Sequence, residues 1–198
     1  MMRPVFAAAA TALAVMFTLW AAPGAAADPD GAELDALNSV TSDTFYTYST
    51  YGAGGWQFVT PDGVRCRIMT VTRWQSPYSV TCWGAALPGV TAGANYVSLL
   101  AARTLIDPTP VAEFGTGDLD SFETYRSYEH RSGDTVDRVD PASYHLLPSG
   151  SKLVVTTEST ILSCGVPGAQ MLVCTIDYLS AAQDRIGFVL SPNGSRTF

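Results

Sequence analysis

The chain has 198 residues and is acidic: 11 lysines and arginines stand against 18 aspartates and glutamates, for a formal net charge of −7. Lys152 is the only lysine. Nucleic acids and anionic lipid surfaces bind proteins through clustered lysine and arginine. The composition therefore excludes a nucleic-acid partner and argues against an anionic lipid surface.

The first 27 residues are typical of a secretory signal peptide. Arg3 supplies the positive start, an apolar run extends from Val5 to Ala22, and Ala25–Ala27 form a small-residue cleavage site. We expect cleavage after Ala27, which leaves residues 28–198 as one exported β-rich domain that is not transmembrane. The alternative is an uncleaved anchor helix, which the alanine-rich and weakly hydrophobic run disfavours.

The mature chain begins with a pattern that predicts one short helix. Asp30 and Glu33 have the spacing of a capping box, and apolar residues at helical intervals follow them. We therefore predict an amphipathic N-terminal helix from about Gly31 to Ser42. The uncharged tract 45–55, rich in tyrosine, serine and glycine, is predicted to be an extended loop with one edge strand at most.

Two β-rich blocks, 56–102 and 151–198, carry most of the remaining pattern. Both contain runs of β-branched and aromatic residues separated by turn residues such as Pro61-Asp62-Gly63. The predicted strands are Trp56–Thr60, Val64–Thr72, Ser79–Trp83, Asn95–Ala102, Lys152–Thr157, Thr160–Cys164, Met171–Tyr178 and Ile186–Leu190. The segment between the blocks, about 103–145, is acidic and interrupted by proline and glycine, and we predict a solvated, loop-rich insertion there with one helical turn at most.

Four cysteines sit in these blocks, and they allow three disulfide pairings. The pairs Cys66–Cys82 and Cys164–Cys174 would each clamp one predicted hairpin, which favours nearest-neighbour pairing. A Cys66–Cys164 linkage would contradict that model. Zinc and redox motifs favour cysteines two to four residues apart, and these intervals are longer. The predicted fold class is therefore a mainly antiparallel β sheet, sandwich- or barrel-like, with two disulfide-clamped hairpins.

The candidates for chemistry are weak. His130 and His145 are the only histidines, and the chain has no Gly-x-Ser-x-Gly elbow to accompany either one. Asp118, Asp120 and Glu129 match three calcium-loop positions, but Glu123 replaces the glycine that the loop requires. We predict no catalytic, metal or cofactor site.

Aromatic residues offer a better candidate for binding. Trp56, Trp74 and Trp83 cluster around the first predicted hairpin. Exposed rings on a rigid β scaffold stack on sugars or anchor protein partners, although core packing is the commoner role. Trp74 lies at the predicted hairpin tip and is the best candidate for ligand contact.

Several motifs together resemble an uncharacterised family of small exported proteins of mycobacteria and related actinobacteria. The segment Phe58–Cys66 fits that family's opening, F-x-[ST]-P-[SD]-G-x-x-C. The later cysteine pair and the ending Gly187–Ser191 fit its closing motif, G-F-x-L-S, and Ala27-Asp28-Pro29 is similar to the end of its signal peptides. The resemblance implies a secreted or cell-envelope protein with paired intrachain disulfides, and it carries over no catalytic residue.

These observations favour a secreted, non-enzymatic binding module. Its expected partner is an extracellular or envelope ligand: a glycan, a lipid or a protein. The competing interpretation is a secreted hydrolase with a site based on a histidine or on carboxylates. A purely structural exported protein is a third alternative.

Overall fold

The computed structural model describes residues 31–50, 53–71, 76–90, 93–102, 109–129, 133–180 and 185–198. The predicted signal peptide, Trp74 and His130 lie outside these residues. In chain order, the strands are β1 (Asn38–Ser39), β2 (Tyr46–Thr50), β3 (Ala53–Val59), β4 (Arg65–Val71), β5 (Ser76–Trp83), β6 (Tyr96–Leu100), β7 (Val111–Gly115), β8 (Thr124–Glu129), β9 (Gly133–Arg138), β10 (His145–Leu146), β11 (Ser151–Thr156), β12 (Thr160–Val166), β13 (Leu172–Tyr178), β14 (Ile186–Leu190) and β15 (Arg196–Thr197). One α-helical turn, α1 (Leu119–Phe122), and three 3-10 turns (Ala32–Leu34, Ser42–Phe45 and Pro141–Ser143) complete the elements described.

Two large sheets contain most of these strands, and each predicted β block supplies the majority of the strands of one sheet. The first sheet has the order β10-β3-β4-β5-β6-β7, and β2 also pairs with β3. The second has the order β1-β11-β12-β13-β14-β15. All the pairs are antiparallel except β10 with β3 and β1 with β11. The predicted mainly antiparallel β fold is confirmed.

The core lies between the two sheets and contains both disulfides. Successive side chains on a strand point to opposite faces, so Cys66 on β4 points inward while Arg65 and Arg67 point outward. Phe58, Val80 and Leu99 of the first sheet share one buried cluster with Leu153, Leu162, Ile176 and Phe188 of the second. A hydrogen bond from the Tyr178 hydroxyl to the Ala101 carbonyl, 2.7 Å long, also joins the two sheets. The fold is a β-sandwich.

The predicted disulfide pairing is confirmed. Cys66 faces Cys82 across β4 and β5, and Cys164 faces Cys174 across β12 and β13. The Cα atoms are 4.1 Å apart in each pair, and all four cysteines are fully buried. Directly opposed residues on antiparallel strands are close enough for a disulfide. Each disulfide therefore clamps one hairpin from inside the sandwich.

The predicted helix over Gly31–Ser42 is wrong. That segment forms a single 3-10 turn and then β1, whose backbone pairs with β11 through hydrogen bonds from Asn38 N to Gly150 O and from Val40 N to Lys152 O. Leu34 and Leu37 pack on the outer face of the second sheet, where a side chain larger than that of Gly165 would overlap them. Packing against a sheet outweighs helix propensity, which is worth only a few tenths of a kcal/mol per residue.

The acidic segment forms one α-helical turn, as the prediction allowed, but it is otherwise less loop-rich and less solvated than predicted. It contains β7, α1, the β8–β9 hairpin and β10, and the tract 45–55 likewise contributes β2 and the start of β3. We call residues 116–129 and 133–144 the middle segment. Its side chains Leu119, Phe122, Val139 and Tyr144 pack with Val59, Trp83 and Tyr96 on the outer face of the first sheet. The middle segment is therefore a cover over that face.

Candidate functional site

Glu123 is the residue whose side chain joins the middle segment to the first sheet. Asp118 begins α1 as its N-cap, since its Oδ1 accepts a hydrogen bond from Asp120 N at 3.1 Å. The helix ends at Glu123, whose N–H donates to Asp120 O (3.2 Å) and whose carbonyl accepts from Val139 N (2.8 Å). Backbone bonds on both sides thus hold Glu123 over the sheet.

The Glu123 carboxylate receives two donors from neighbouring strands. Arg65 and Trp83 are direct partners on β4 and β5, so their side chains lie side by side on the outer face. Arg65 Nη1 lies 2.7 Å and Trp83 Nε1 lies 2.8 Å from the same oxygen, Oε1. The side chains of Arg65 and Glu123 are 38% and 16% exposed. This is a partly desolvated ion pair reinforced by a neutral donor.

The second oxygen of Glu123, Oε2, is buried and has no hydrogen-bond partner of normal geometry within the described residues. The nearby Tyr144 hydroxyl is close enough to be influenced by this carboxylate. Burial raises the pKa of Tyr144 to about 12, the Arg67 guanidinium opposes that rise, and Glu123 adds to it. Tyr144 therefore stays protonated throughout the physiological range.

Arg67 lies beneath the middle segment as a buried cation. Its Nη2 donates to the Phe122 carbonyl (3.1 Å) and to the Tyr144 hydroxyl (3.2 Å), and its guanidinium lies 5.5 Å from the centre of the Trp83 ring. The buried Gln57 amide satisfies its neighbours when its oxygen faces Arg67, with Nη2 at 3.1 Å. This hydrogen-bond network around Arg67 rigidifies the contact between the first sheet and the middle segment.

A cleft of about 260 Å³ opens beside the Arg65–Glu123 pair, between the ends of β4 and β5 and the α1 turn. We call it the Arg65 cleft, and it is lined by Gly63, Arg65, Trp83, Gly84, Ala85, Leu119, Asp120 and Glu123. Asp120 is 80% exposed and forms a surface ion pair with Arg138, Oδ1 to Nη2, at 3.2 Å. Ala85 is exposed and Leu119 is half-buried, so the lining combines charged and apolar groups.

The tryptophans predicted to cluster do not form one aromatic surface within the described residues. Trp83 is buried on the outer face, stacked on Phe122 with ring centroids 5.4 Å apart. Trp56 is half-buried, packs against the core between the sheets and contacts Tyr46 edge-on at 5.1 Å. Both tryptophans lie close to the first predicted hairpin in the sequence, but their side chains face opposite sides of the sheet. Trp74 lies outside the described residues, so its ligand contact stays a prediction.

Of the remaining sequence candidates, Asp120 lines the Arg65 cleft and His145 does not. His145 is exposed at the edge of the first sheet, with its ring 6.1 Å from that of Phe45, and it does not line the cleft. His130 lies outside the described residues. In the part of the chain that the structure describes, no group of three or more histidine, cysteine, aspartate or glutamate side chains could hold a metal ion.

The sequence patterns named Trp83 and Asp120 but missed Arg65 and its contact with Glu123, although one signal for Arg65 was present. Arg65 and Arg67 alternate with the inward-pointing Cys66, so both must lie on the outer face of an otherwise acidic protein. Two cations on one sheet face indicate that anionic or polar groups cover them. The identity of Glu123 as that group depends on a contact 58 positions along the chain.

Comparisons with known proteins give no further lead to the function. The chain matches no protein-family model, no curated protein and no solved structure. In the described residues, no helix has the length and apolar character needed to cross a membrane. The geometry of the Arg65 cleft is therefore the basis for assigning a role.

Proposed function

We propose that the protein is exported and acts as a non-enzymatic binding module that holds an extracellular or envelope ligand in the Arg65 cleft. The signal-peptide pattern, the two disulfides and the resemblance to exported actinobacterial proteins support the compartment, since disulfides persist in oxidising environments. The observation that carries the proposal is the Arg65 guanidinium, which is fixed by Glu123 on one side and lines an open cleft on the other.

The contacts around Glu123 favour binding over catalysis. A general acid or base must exchange a proton with a substrate that it reaches. Glu123 instead uses Oε1 to accept from two fixed donors, and its Oε2 is shielded from solvent. Arg65 is positioned by that carboxylate as a preorganised donor, and preorganisation reduces the entropy cost of binding.

A secreted hydrolase is the second candidate, because Asp120 and Glu123 line the same cleft. Glycoside hydrolases use a pair of carboxylates on either side of the scissile bond. Asp120→Asn and Glu123→Gln should each abolish turnover of a chromogenic glycoside panel if this candidate holds. His130→Ala and His145→Ala test the histidine-based version, and loss of turnover in either variant would support it.

The binding proposal is tested with the secreted chain and a cell-envelope fraction from the producing organism. Arg65→Ala should reduce retention on that fraction by about tenfold, because a hydrogen bond from a charged group contributes about 1.5–3 kcal/mol. Glu158→Gln is the control, since Glu158 is exposed in the turn between β11 and β12. Equal retention of the Arg65→Ala and control proteins would overturn the proposal.

Trp74 requires a separate arm of the same experiment. Trp74→Ala would lower retention if the hairpin tip adds a second contact, as the sequence predicts. Full retention of that variant, with loss in Arg65→Ala, would assign binding to the cleft and remove the aromatic-tip hypothesis.

A further inference from the structure

We infer that the ligand of the Arg65 cleft is a neutral saccharide residue, bound through neighbouring hydroxyls between Arg65 and Asp120 with its C–H face against Leu119 and Ala85. This inference rests on the proposed function, because it names the ligand class of the same cleft. It follows from four properties of the lining: donors, acceptors, charge balance and size.

The donors come from Arg65. A guanidinium carries five N–H donors in one plane, and within the described residues only Nη1 has a hydrogen-bond acceptor, Glu123 Oε1. The guanidinium carbon lies 5.4 Å from the centre of the Tyr144 ring. This cation–π contact restrains the orientation of the guanidinium plane in addition to the Glu123 hydrogen bond. The remaining N–H groups form a fixed fork that matches two adjacent oxygens of a ligand.

The acceptors come from Asp120, which also lines the cleft. Its Oδ1 accepts from the exposed Arg138, and in the described part of the chain Oδ2 has no partner. An ionised carboxylate accepts hydrogen bonds and donates none. Hydroxyl groups both donate and accept, so a pair of hydroxyls can satisfy the Asp120 oxygen and the Arg65 fork together.

The charges in and beside the cleft argue against an ionic ligand. Arg65 pairs with Glu123, Arg138 pairs with Asp120, and Arg67 lies beside Trp83, so neither sign of charge dominates in or beside the cleft. An anion attracted by Arg65 would be repelled by Asp120. A cation attracted by Asp120 would be repelled by Arg65. A neutral polar ligand can form hydrogen bonds with both side chains without this electrostatic repulsion.

The size of the Arg65 cleft and the chemistry of its lining narrow the class of ligand further. Pockets for drug-sized ligands occupy roughly 300–1,000 Å³, and the Arg65 cleft, at about 260 Å³, admits one small group. Leu119 and the Ala85 methyl give the cleft an apolar portion beside its charged groups. A sugar ring has the same division, with hydroxyls at its edge and C–H groups on its face.

The test measures binding of methyl glycosides of neutral hexoses and pentoses, with glucuronate and glucosamine as charged probes, by saturation-transfer NMR on the disulfide-bonded protein. A neutral glycoside should bind, and its affinity should fall about tenfold or more in Arg65→Ala and in Asp120→Asn. Ala85→Trp should block binding by filling the cleft, and it leaves the Arg65–Glu123 pair in place. Glu158→Gln should bind as the parent does.

The outcomes separate the two proposals. Tighter binding of glucuronate or glucosamine than of every neutral glycoside would overturn the saccharide class and leave the cleft as the binding site. Failure of every sugar to bind, with envelope retention still lost in Arg65→Ala, would also overturn the saccharide class and leave the cleft as the binding site. If Ala85→Trp keeps its thermal transition and also keeps full envelope retention, the cleft is not the binding site and both proposals fail.

Discussion

Arg65 on β4 and Glu123 at the end of α1 are 58 positions apart in the chain, and their side chains meet at 2.7 Å. The pair joins the first sheet to the middle segment that covers it. It also sets one wall of the Arg65 cleft. The contact is therefore both a structural link and the element that orients the proposed ligand-binding group.

Glu123→Ala should destabilise the protein more than Arg65→Ala does. Removal of the carboxylate leaves the buried Trp83 N–H without its acceptor, which costs about 1–3 kcal/mol. Removal of the partly exposed Arg65 costs about 0.5–1 kcal/mol, because water replaces much of its interaction. Urea unfolding followed by tryptophan fluorescence measures both, and a smaller loss in Glu123→Ala than in Arg65→Ala would contradict this account.

Both disulfides should resist reduction in the native state. All four cysteines are fully buried between the sheets, so a reductant reaches them only when the sandwich opens. Incubation with dithiothreitol followed by thiol alkylation and mass spectrometry should show intact disulfides without denaturant and four alkylated cysteines with it. Rapid reduction of either disulfide in folded protein would place that pair at the surface.

Replacement of Cys66 and Cys82 together by alanine should lower the free energy of unfolding by about 3 kcal/mol, as expected for a closed loop of this length. The shorter Cys164–Cys174 loop should contribute slightly less in the same model. Comparison of the two double-alanine variants in urea checks the order. A larger loss from the 164–174 variant would show that strain or packing outweighs chain entropy.

Gly89→Ala should be much more damaging than Gly150→Ala. Both glycines have a positive φ, +59° and +79°, which costs an alanine roughly 1–2 kcal/mol. A Cβ at Gly150 meets open space, whereas one at Gly89 overlaps the Ser191 carbonyl and separates two turns that Ser195 N and Gly89 O join at 3.2 Å. We expect Gly89→Ala to lose about 1–3 kcal/mol beyond the control. Thermal unfolding of the two variants should show a clear gap, and equal midpoints would refute the close approach.

Alkaline conditions should weaken the fold between about pH 10 and pH 12. Burial raises the pKa of Tyr144 from 10.0 to about 12, so the unfolded chain loses this proton at a lower pH than the folded one. The resulting stabilisation, roughly 2 kcal/mol, is complete below pH 10 and is lost as the pH rises through 12. Burial likewise raises the pKa of Tyr178 to about 12, so this hydroxyl adds a contribution of the same sign over the same pH interval.

Tyr144→Phe provides the control for that titration. This variant lacks the ionisable hydroxyl, so its free energy of unfolding should depend less steeply on pH across the same interval. Urea unfolding at several alkaline pH values, with tyrosinate absorbance recorded in parallel, measures the difference. Identical pH dependence in the two proteins would show that Tyr144 does not contribute.

The amino-acid sequence determined the β class, the two sheet-forming blocks and the disulfide pairing. These features depend on local patterns: alternating β-branched residues, turn residues at strand ends, and cysteines placed symmetrically within hairpins. A strand pair in a hairpin has few alternative registers, so a pattern spanning fewer than twenty residues identifies it. The compartment proposal also rests on a local pattern, the signal-like segment 1–27.

Tertiary structure alone decided what covers the outer faces of the two sheets. The spacing of Leu34 and Leu37 suits a helix, but burial on a sheet beside Gly165 and backbone pairing with β11 stabilise another conformation. The middle segment has more acidic than basic residues, and nothing local distinguishes Glu123, whose partners are Arg65 and Trp83, from its solvent-exposed neighbours. Long-range burial and ion pairing exceed the small local preferences. The proposed site therefore became visible only when distant segments were brought together.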